Sequence, residues 1–262
     1  MFRFLVRLFA VVGLLVVLLA VGAGIAAYQV LTAERPVPER IVLELDLDRG
    51  LVEDVPADPV AEILFGRETT MRDLVDTLDR ARRDPRVRGL VARLGGDRFS
   101  LAQAQELRAA VERFRDSGRF AVAFADTFGE LGPGNVSYYL ASGFAEVWLQ
   151  PVGMVGLTGL SAEVPFLRDT LDMVGLTPAL DHREEYKSFS NTFTERDLTP
   201  AHREMMESMV EELTGQLVAG IAGGRSLPRE AVTALIDRAP LLDREAVEAG
   251  LVDRLGYLDE VR

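Results

Sequence analysis

The chain is 262 residues long, with 29 Lys+Arg against 41 Asp+Glu and a net charge of −12. That length is enough for one large domain or two small ones, and the acidic balance removes the attraction to phosphate on which nucleic-acid binding rests. Cysteine is absent, so disulfides, thiolate zinc sites, iron–sulfur clusters and cysteine nucleophiles are excluded together, leaving Ser, Thr, Lys or a carboxylate for covalent chemistry. The two histidines, His182 and His202, form no HExxH-type pair, and neither a metal nor a cofactor is expected.

The first feature along the chain is an uncharged apolar run from Leu8 to Leu31. As a helix it would be about 36 Å long, against a hydrocarbon core of about 30 Å. Arg3 and Arg7 precede the run and Glu34 is the first acid after it, so the positive-inside bias leaves the N-terminus in the cytoplasm and places the rest outside. A cleaved signal peptide ending near Gly24-Ile25-Ala26 is the rival reading. It fits less well, because the run exceeds the roughly 7–15 residues of a signal h-region. The expected organisation is a cytoplasmic N-terminus (1–7), a transmembrane signal anchor (8–31), an extended proline-containing linker (32–39) and one folded domain (40–262).

Within that domain, hydrophobic periodicity predicts strands over 41–47, 87–94, 120–125 and 146–149. Between them it predicts helices from a capping box at Thr70-Met71-Arg72-Asp73 to Arg83, from Ser100 to Ser117, and over 135–142. Another extended run follows over 157–164, then a helix over 167–174. From Thr199-Pro200 the character changes to a long amphipathic helix ending at Gly223-Gly224, two shorter helices (228–238 and 243–249) and a short tail. Alternating strands and helices indicate an α/β fold with parallel pairing and a helical C-terminal part.

Every basic residue is arginine except Lys187. Arginine stays protonated at any usable pH, whereas a desolvated lysine can become neutral, so only Lys187 can serve as a general base or amine nucleophile. On composition alone, a stray surface lysine remains open.

The stretches Tyr138-Tyr139-Leu140-Ala141-Ser142, Ala145-Glu146-Val147-Trp148-Leu149-Gln150-Pro151 with Gly156, Tyr186-Lys187-Ser188, and Leu198-Thr199-Pro200-Ala201-His202-Arg203-Glu204 resemble the signal peptide peptidase family SppA (protease IV). The likeness is to the N-terminal half of its long form and covers residues from about 40 to 262 in order. It implies a ClpP/crotonase-like spiral of ββα units and a serine endopeptidase acting on hydrophobic signal-peptide remnants. It also implies a place in the bacterial inner membrane, homo-oligomerisation and no cofactor. The family resemblance further implies a Ser–Lys dyad, in which lysine takes the serine proton, serine attacks the peptide carbonyl and backbone amides hold the oxyanion. The lysine of the YKS motif falls on Lys187.

In the long form the serine comes from a second, homologous half, in an A-S-G-G-Y-[WY] motif. The equivalent stretch here is Asn135-Val136-Ser137-Tyr138-Tyr139, with Asn135 in the place of the serine. Gly95-Gly96 stands where the serine-bearing half has its S-P-G-G oxyanion loop and reads as a degenerate turn. The nucleophile is therefore expected from a C-terminal serine-bearing half or a neighbouring subunit, with a longer natural chain expected beyond Arg262.

The other candidates read as structural. Ser137 is turned about 200° from the position of Asn135 on a helix, and Ser188 and Ser190 adjoin the lysine without dyad geometry. His182 and His202 read as surface or capping residues, and Glu184 and Glu185 as solvated neighbours of the lysine. A second functional reading is a membrane-tethered scaffold that keeps the protease fold without cutting. An acyl-CoA enzyme on the same fold would meet no CoA pool outside the cell.

Overall fold

The structure is a computed structural model and describes residues 12–25, 38–48, 51–53, 69–96, 98–130 and 132–261. It divides into two units, residues 1–39 and 40–262. In the first, residues 12–25 form a helix (α1) with exposed side chains, about 21 Å long at 1.5 Å per residue. Among the described residues, no helix is long and apolar enough to cross a membrane. The remainder of the expected anchor, residues 8–11 and 26–31, lies outside the described residues, as do Arg3, Arg7 and the linker up to residue 37.

In the second unit the sheet is laid down in the order of the sequence. Strands β1 (Ile41–Asp46), β2 (Val87–Arg93), β3 (Phe120–Ala125) and β4 (Glu146–Leu149) pair in turn, all parallel. Two short strands, β5 (Met154–Val155) and β6 (Leu241–Leu242), form a separate antiparallel pair, and β7 (Arg254–Leu255) returns to extend the main sheet beyond β4. Parallel neighbours need crossover connections. The first three are built on α2 (Met71–Ala81), α3 (Leu101–Arg115) and α4 (Asn135–Ala141), which pack in sequence against one another.

The caps predicted from sequence set two of these helices. Thr70 Oγ1 accepts from Asp73 N at 3.1 Å, and Ser100 with Gln103 makes a reciprocal capping box. Leu74 and Leu78 of α2, Leu107, Val111 and Phe114 of α3, and Leu90 of β2 are buried in one core. Their spacing is the helical and strand periodicity read from the sequence.

Beyond β5 the chain leaves the sheet. Residues 157–166 have no ladder partner among the described residues, so the extended run predicted over 157–164 forms no strand, and Gly159 within it takes φ 77. There follow α5 (Arg168–Met173), a one-turn 3-10 helix (Ser188–Ser190), α6 (Asn191–Thr194), α7 (Pro200–Arg225), α8 (Arg229–Arg238), α9 (Asp243–Glu248) and α10 (Leu258–Val261).

The expected break at Gly223-Gly224 does not occur. The long helix continues to Arg225 and ends at Ser226, which takes the left-handed conformation at φ 54. Gly224 lies where a Cβ would collide with the Ser142 carbonyl, so this glycine marks a close helix–helix approach rather than a stop. The helical reading of the C-terminal third is likewise incomplete, because β7 brings the tail back into the sheet. There Asp253 accepts from Val147 N at 2.7 Å and from both terminal nitrogens of Arg225 at 2.8 Å. Tyr138 OH donates to Leu251 O at 2.6 Å.

One turn is strained. Val152, after Pro151, sits at φ 66 and is 86% exposed, with its N–H donated to Asp243 at 3.0 Å. A β-branched residue is disfavoured there, whereas asparagine tolerates the left-handed region without the chain entropy of glycine. Val152→Asn is expected to stabilise the fold by about 1 kcal/mol, read as a rise in Tm of about 2–4 °C. An unchanged or lower Tm would show that the turn carries no strain.

Candidate active site

Lys187 lies on an arm formed by residues 160–199, between the unpaired segment and α7. The loop over residues 181–187 is exposed, Glu184 takes φ 64, and Lys187 N donates to Glu184 O at 3.2 Å. Lys187 then caps the 3-10 turn Ser188–Ser190 with its backbone. Its side chain is exposed and has no hydrogen bond or ion pair among the described residues. The flanking Tyr186 is held differently: its hydroxyl donates to Glu204 at 3.0 Å, and that hydrogen bond raises the phenol pKa above its ordinary value. The lysine is thus presented to solvent by a tethered segment with its amine unengaged. Glu184 and Glu185 are exposed beside it.

Asn135, at the first position of α4, is 3% exposed. Its Nδ2 donates to Gly159 O at 2.7 Å, and its Oδ1 accepts from Gly159 N at 3.1 Å. A side chain with both amide ends engaged offers no nucleophile and no room for one. Ser137 is fully buried, and its hydroxyl lies 3.2 Å from Gly134 O and 3.3 Å from Gly95 O. This agrees with the structural reading of Ser137. Gly95 is pressed against the Thr127 carbonyl, and Gly96 N donates to Asp48 Oδ1 at 3.4 Å. A carboxylate on that amide opposes its use for an oxyanion, as the degenerate-turn reading requires. Asp97, the next residue, lies outside the described residues.

The remaining candidates separate. Ser188 is half-buried, while Ser190 is buried and its hydroxyl has no partner among the described residues. His182 is exposed, its Nδ1 lying 2.9 Å from Glu184 O. His202 departs from the surface reading: it is 4% exposed, its Nδ1 has no partner among the described residues, and its ring lies 6.4 Å from Phe166. It sits three residues inside the N-cap Thr199, whose hydroxyl accepts from His202 N at 3.3 Å. That inward turn of α7 buries the ring. Among the described residues, no cluster of His, Asp and Glu is arranged to hold a metal.

The arm that carries Lys187 also holds a feature the sequence reading missed. An apolar groove of about 540 Å³ is lined by Leu171, Leu176, Pro178, Leu180, Phe189 and Phe193. The helix predicted over 167–174 is present as α5, but it buries none of its residues, and Met173 and Phe189 are 87% and 83% exposed. The signal available in sequence was the density of apolar residues over 171–193 beside a charged loop.

These residues can now be set beside known proteins. "Protease 4" of Haemophilus influenzae is 27% identical over 170 residues, covering 63% of this chain and 26% of that protein. "Serine protease SPPA, chloroplastic" of Arabidopsis thaliana is 23% identical over 197 residues, 75% of this chain and 28% of that one. The chain therefore spans only about a quarter to a third of the length of such relatives. A solved peptidase from Plasmodium falciparum superposes over 84% of this chain and 96% of its own, at 9% identity and a TM-score of 0.42. The model of peptidase family S49 matches residues 122–262, a stretch holding Asn135, the unpaired segment, Lys187 and all of α7. With more than half of its length matched in this way, the chain belongs to peptidase family S49.

Proposed function

We propose that this chain is the lysine-bearing half of a membrane-anchored serine endopeptidase that degrades cleaved signal peptides, with Lys187 as general base and the nucleophilic serine lying outside residues 1–262. What carries the reading is the contrast between two positions. Lys187 presents an unengaged amine to solvent, while Asn135, in the place of the serine, has both amide ends bonded to Gly159. A base without a nucleophile in its own site suits a dyad completed from a second half or a neighbouring subunit.

In the reaction, Lys187, desolvated once the serine-bearing half or subunit covers it, takes the serine proton as the serine oxygen bonds to the peptide carbonyl, and the same proton is returned to the leaving amine. The exposed apolar groove on the same arm suits an apolar peptide segment. The apolar N-terminal run supports a single-pass anchor with the N-terminus cytoplasmic and the main domain periplasmic. A homo-oligomer enclosing the sites is part of the same proposal.

A non-catalytic scaffold draws on the same asparagine, and a covalent probe separates the two. The native assembly, extracted from its own membranes, is treated with a fluorophosphonate and mapped by peptide mass. Labelling is expected on one serine outside residues 1–262. Labelling of Ser188 or Ser190, or none in an assembly that binds apolar peptides, would overturn the two-part dyad.

A further inference from the structure

We propose that Asn135 is a positioning residue: by holding both backbone groups of Gly159 it fixes the root of the arm that carries Lys187. The kinetic consequence rests on the dyad reading above; the clamp itself does not.

The clamp stands where the chain leaves the sheet. Gly156 N donates to Phe128 O at 2.7 Å, and Gly134 N donates to Gly156 O at 2.8 Å, so the chain is still tied to the body there. Three residues on, Gly159 takes φ +77, and a Cβ would meet Ile236 at 3.3 Å. Its N–H and C=O are both taken by Asn135. Leu160 packs on the core beside it, and after that no backbone hydrogen bond is made among the described residues until Leu167 N donates to Thr192 O at 2.7 Å.

That later bond is internal to the arm. So are the ion pairs of Arg196 with Asp169 and with Asp172, the latter at 2.6 Å. Asn191 Nδ2 to Thr199 Oγ1 at 3.4 Å closes the base of the arm on its return side. The arm is therefore cross-tied within itself and rooted on the outgoing side by the Asn135–Gly159 pair and at the start of α7 by Tyr186–Glu204, Asp197–Arg203 and the Phe166–His202 contact.

The chemistry of the clamp is specific to an amide of this length. It must donate to one group and accept from another within the same residue. Serine is too short to reach both, and aspartate places a carboxylate oxygen against the Gly159 carbonyl. Asn135 thus excludes a nucleophile from its own position and, in the same bonds, sets where the base of the dyad is presented.

The test compares the native full-length assembly with Asn135→Ala and Asn135→Asp variants by hydrogen exchange, kinetics and amine labelling. In both variants the amide of Gly159, which donates to Asn135 Oδ1, is expected to exchange at least about tenfold faster, while those of β2 and β3 keep their protection. For hydrolysis of an apolar signal peptide, kcat is expected to fall by about 100-fold, the order of loss for a catalytic group displaced by about 1 Å, with KM changing far less. Acetic anhydride labelling of Lys187, the only ε-amine in the chain, is expected to change rate in the assembled variants.

Gly159→Ala strains the same root from the other side, and the double variant is expected to be no worse than either single one. Unchanged exchange at Gly159, or faster exchange spread equally over the sheet, would overturn the clamp. Faster exchange at Gly159 with normal kcat and normal Lys187 labelling would overturn its positioning role. An assembly that hydrolyses no peptide at all would count against the dyad instead, with the exchange result still deciding on the clamp.

Discussion

Lys187→Arg, made in the complete native assembly, is expected to lower kcat for peptide hydrolysis by about 1,000-fold or more while leaving the fold and KM nearly unchanged. Arginine keeps the charge and much of the length of lysine but stays protonated at any usable pH, so the serine proton has no acceptor. Loss of a general base of this kind removes roughly 10²–10⁴ in rate. The fold should not notice, because the Lys187 side chain is exposed and has no hydrogen bond or ion pair among the described residues; changes at such positions stay within about 0.5 kcal/mol. Thermal unfolding of the variant provides the control. Hydrolysis within a few-fold of wild type, in a variant with unchanged Tm, would remove Lys187 from the mechanism. It would leave the scaffold reading as the account that fits the engaged Asn135. Lys187 would then be the stray surface lysine that composition allows.

What the sequence disclosed follows a physical division. Strands β3 and β4 fall on the residues predicted, because each is a short apolar run bounded by polar or glycine-containing turns, and their environment is set by nearest neighbours in the sheet. Helices α2 and α3 begin where Thr70 and Ser100 cap them, since a cap depends on side chains within three residues. Elements that depend on distant partners were illegible. β7 is two residues long and exists only because Val147 and Leu149 present free backbone groups to Asp253 and Gly256.

Gly223-Gly224 reads locally as a helix stop, yet the helix continues because that spot faces the Ser142 carbonyl from another part of the chain. The same holds at the candidate site. Lys187 and Asn135 could be singled out by residue type and resemblance. That Asn135 reaches across twenty-four positions to Gly159 is a tertiary fact, as are the burial of His202 and the exposure of α5.

The second large effect concerns what holds the body beneath the arm. Arg108 of α3 is nearly buried, its guanidinium wedged between three helices. One terminal nitrogen donates to Tyr139 O at 2.7 Å and to Ser142 Oγ at 2.6 Å, at the end of α4. The other donates to Gly220 O of α7 at 2.8 Å. Nε donates to Glu112 at 2.9 Å, and the guanidinium carbon stands 4.9 Å from the centre of the Tyr139 ring. Gly220 and Gly224, one turn apart, let α7 come this close: a Cβ on Gly220 would enter the Tyr139 ring, and one on Gly224 the Ser142 carbonyl.

Replacing Arg108 by methionine keeps an apolar stem of similar length but withdraws a planar group that serves four acceptors at once. Each acceptor left short of a partner in the interior costs on the order of 1–3 kcal/mol, softened where a carbonyl keeps its helical bond. Arg108→Met is therefore expected to destabilise the folded domain by about 2–4 kcal/mol, seen as a fall in Tm of roughly 4–15 °C. Arg108→Lys should lie between, because a single ammonium cannot reach both helix ends. A loss below about 0.5 kcal/mol for the methionine variant would mean that the glycine contacts alone hold α7 to α4. In that case Gly224→Ala, which forces the two helices apart, would be the more damaging change.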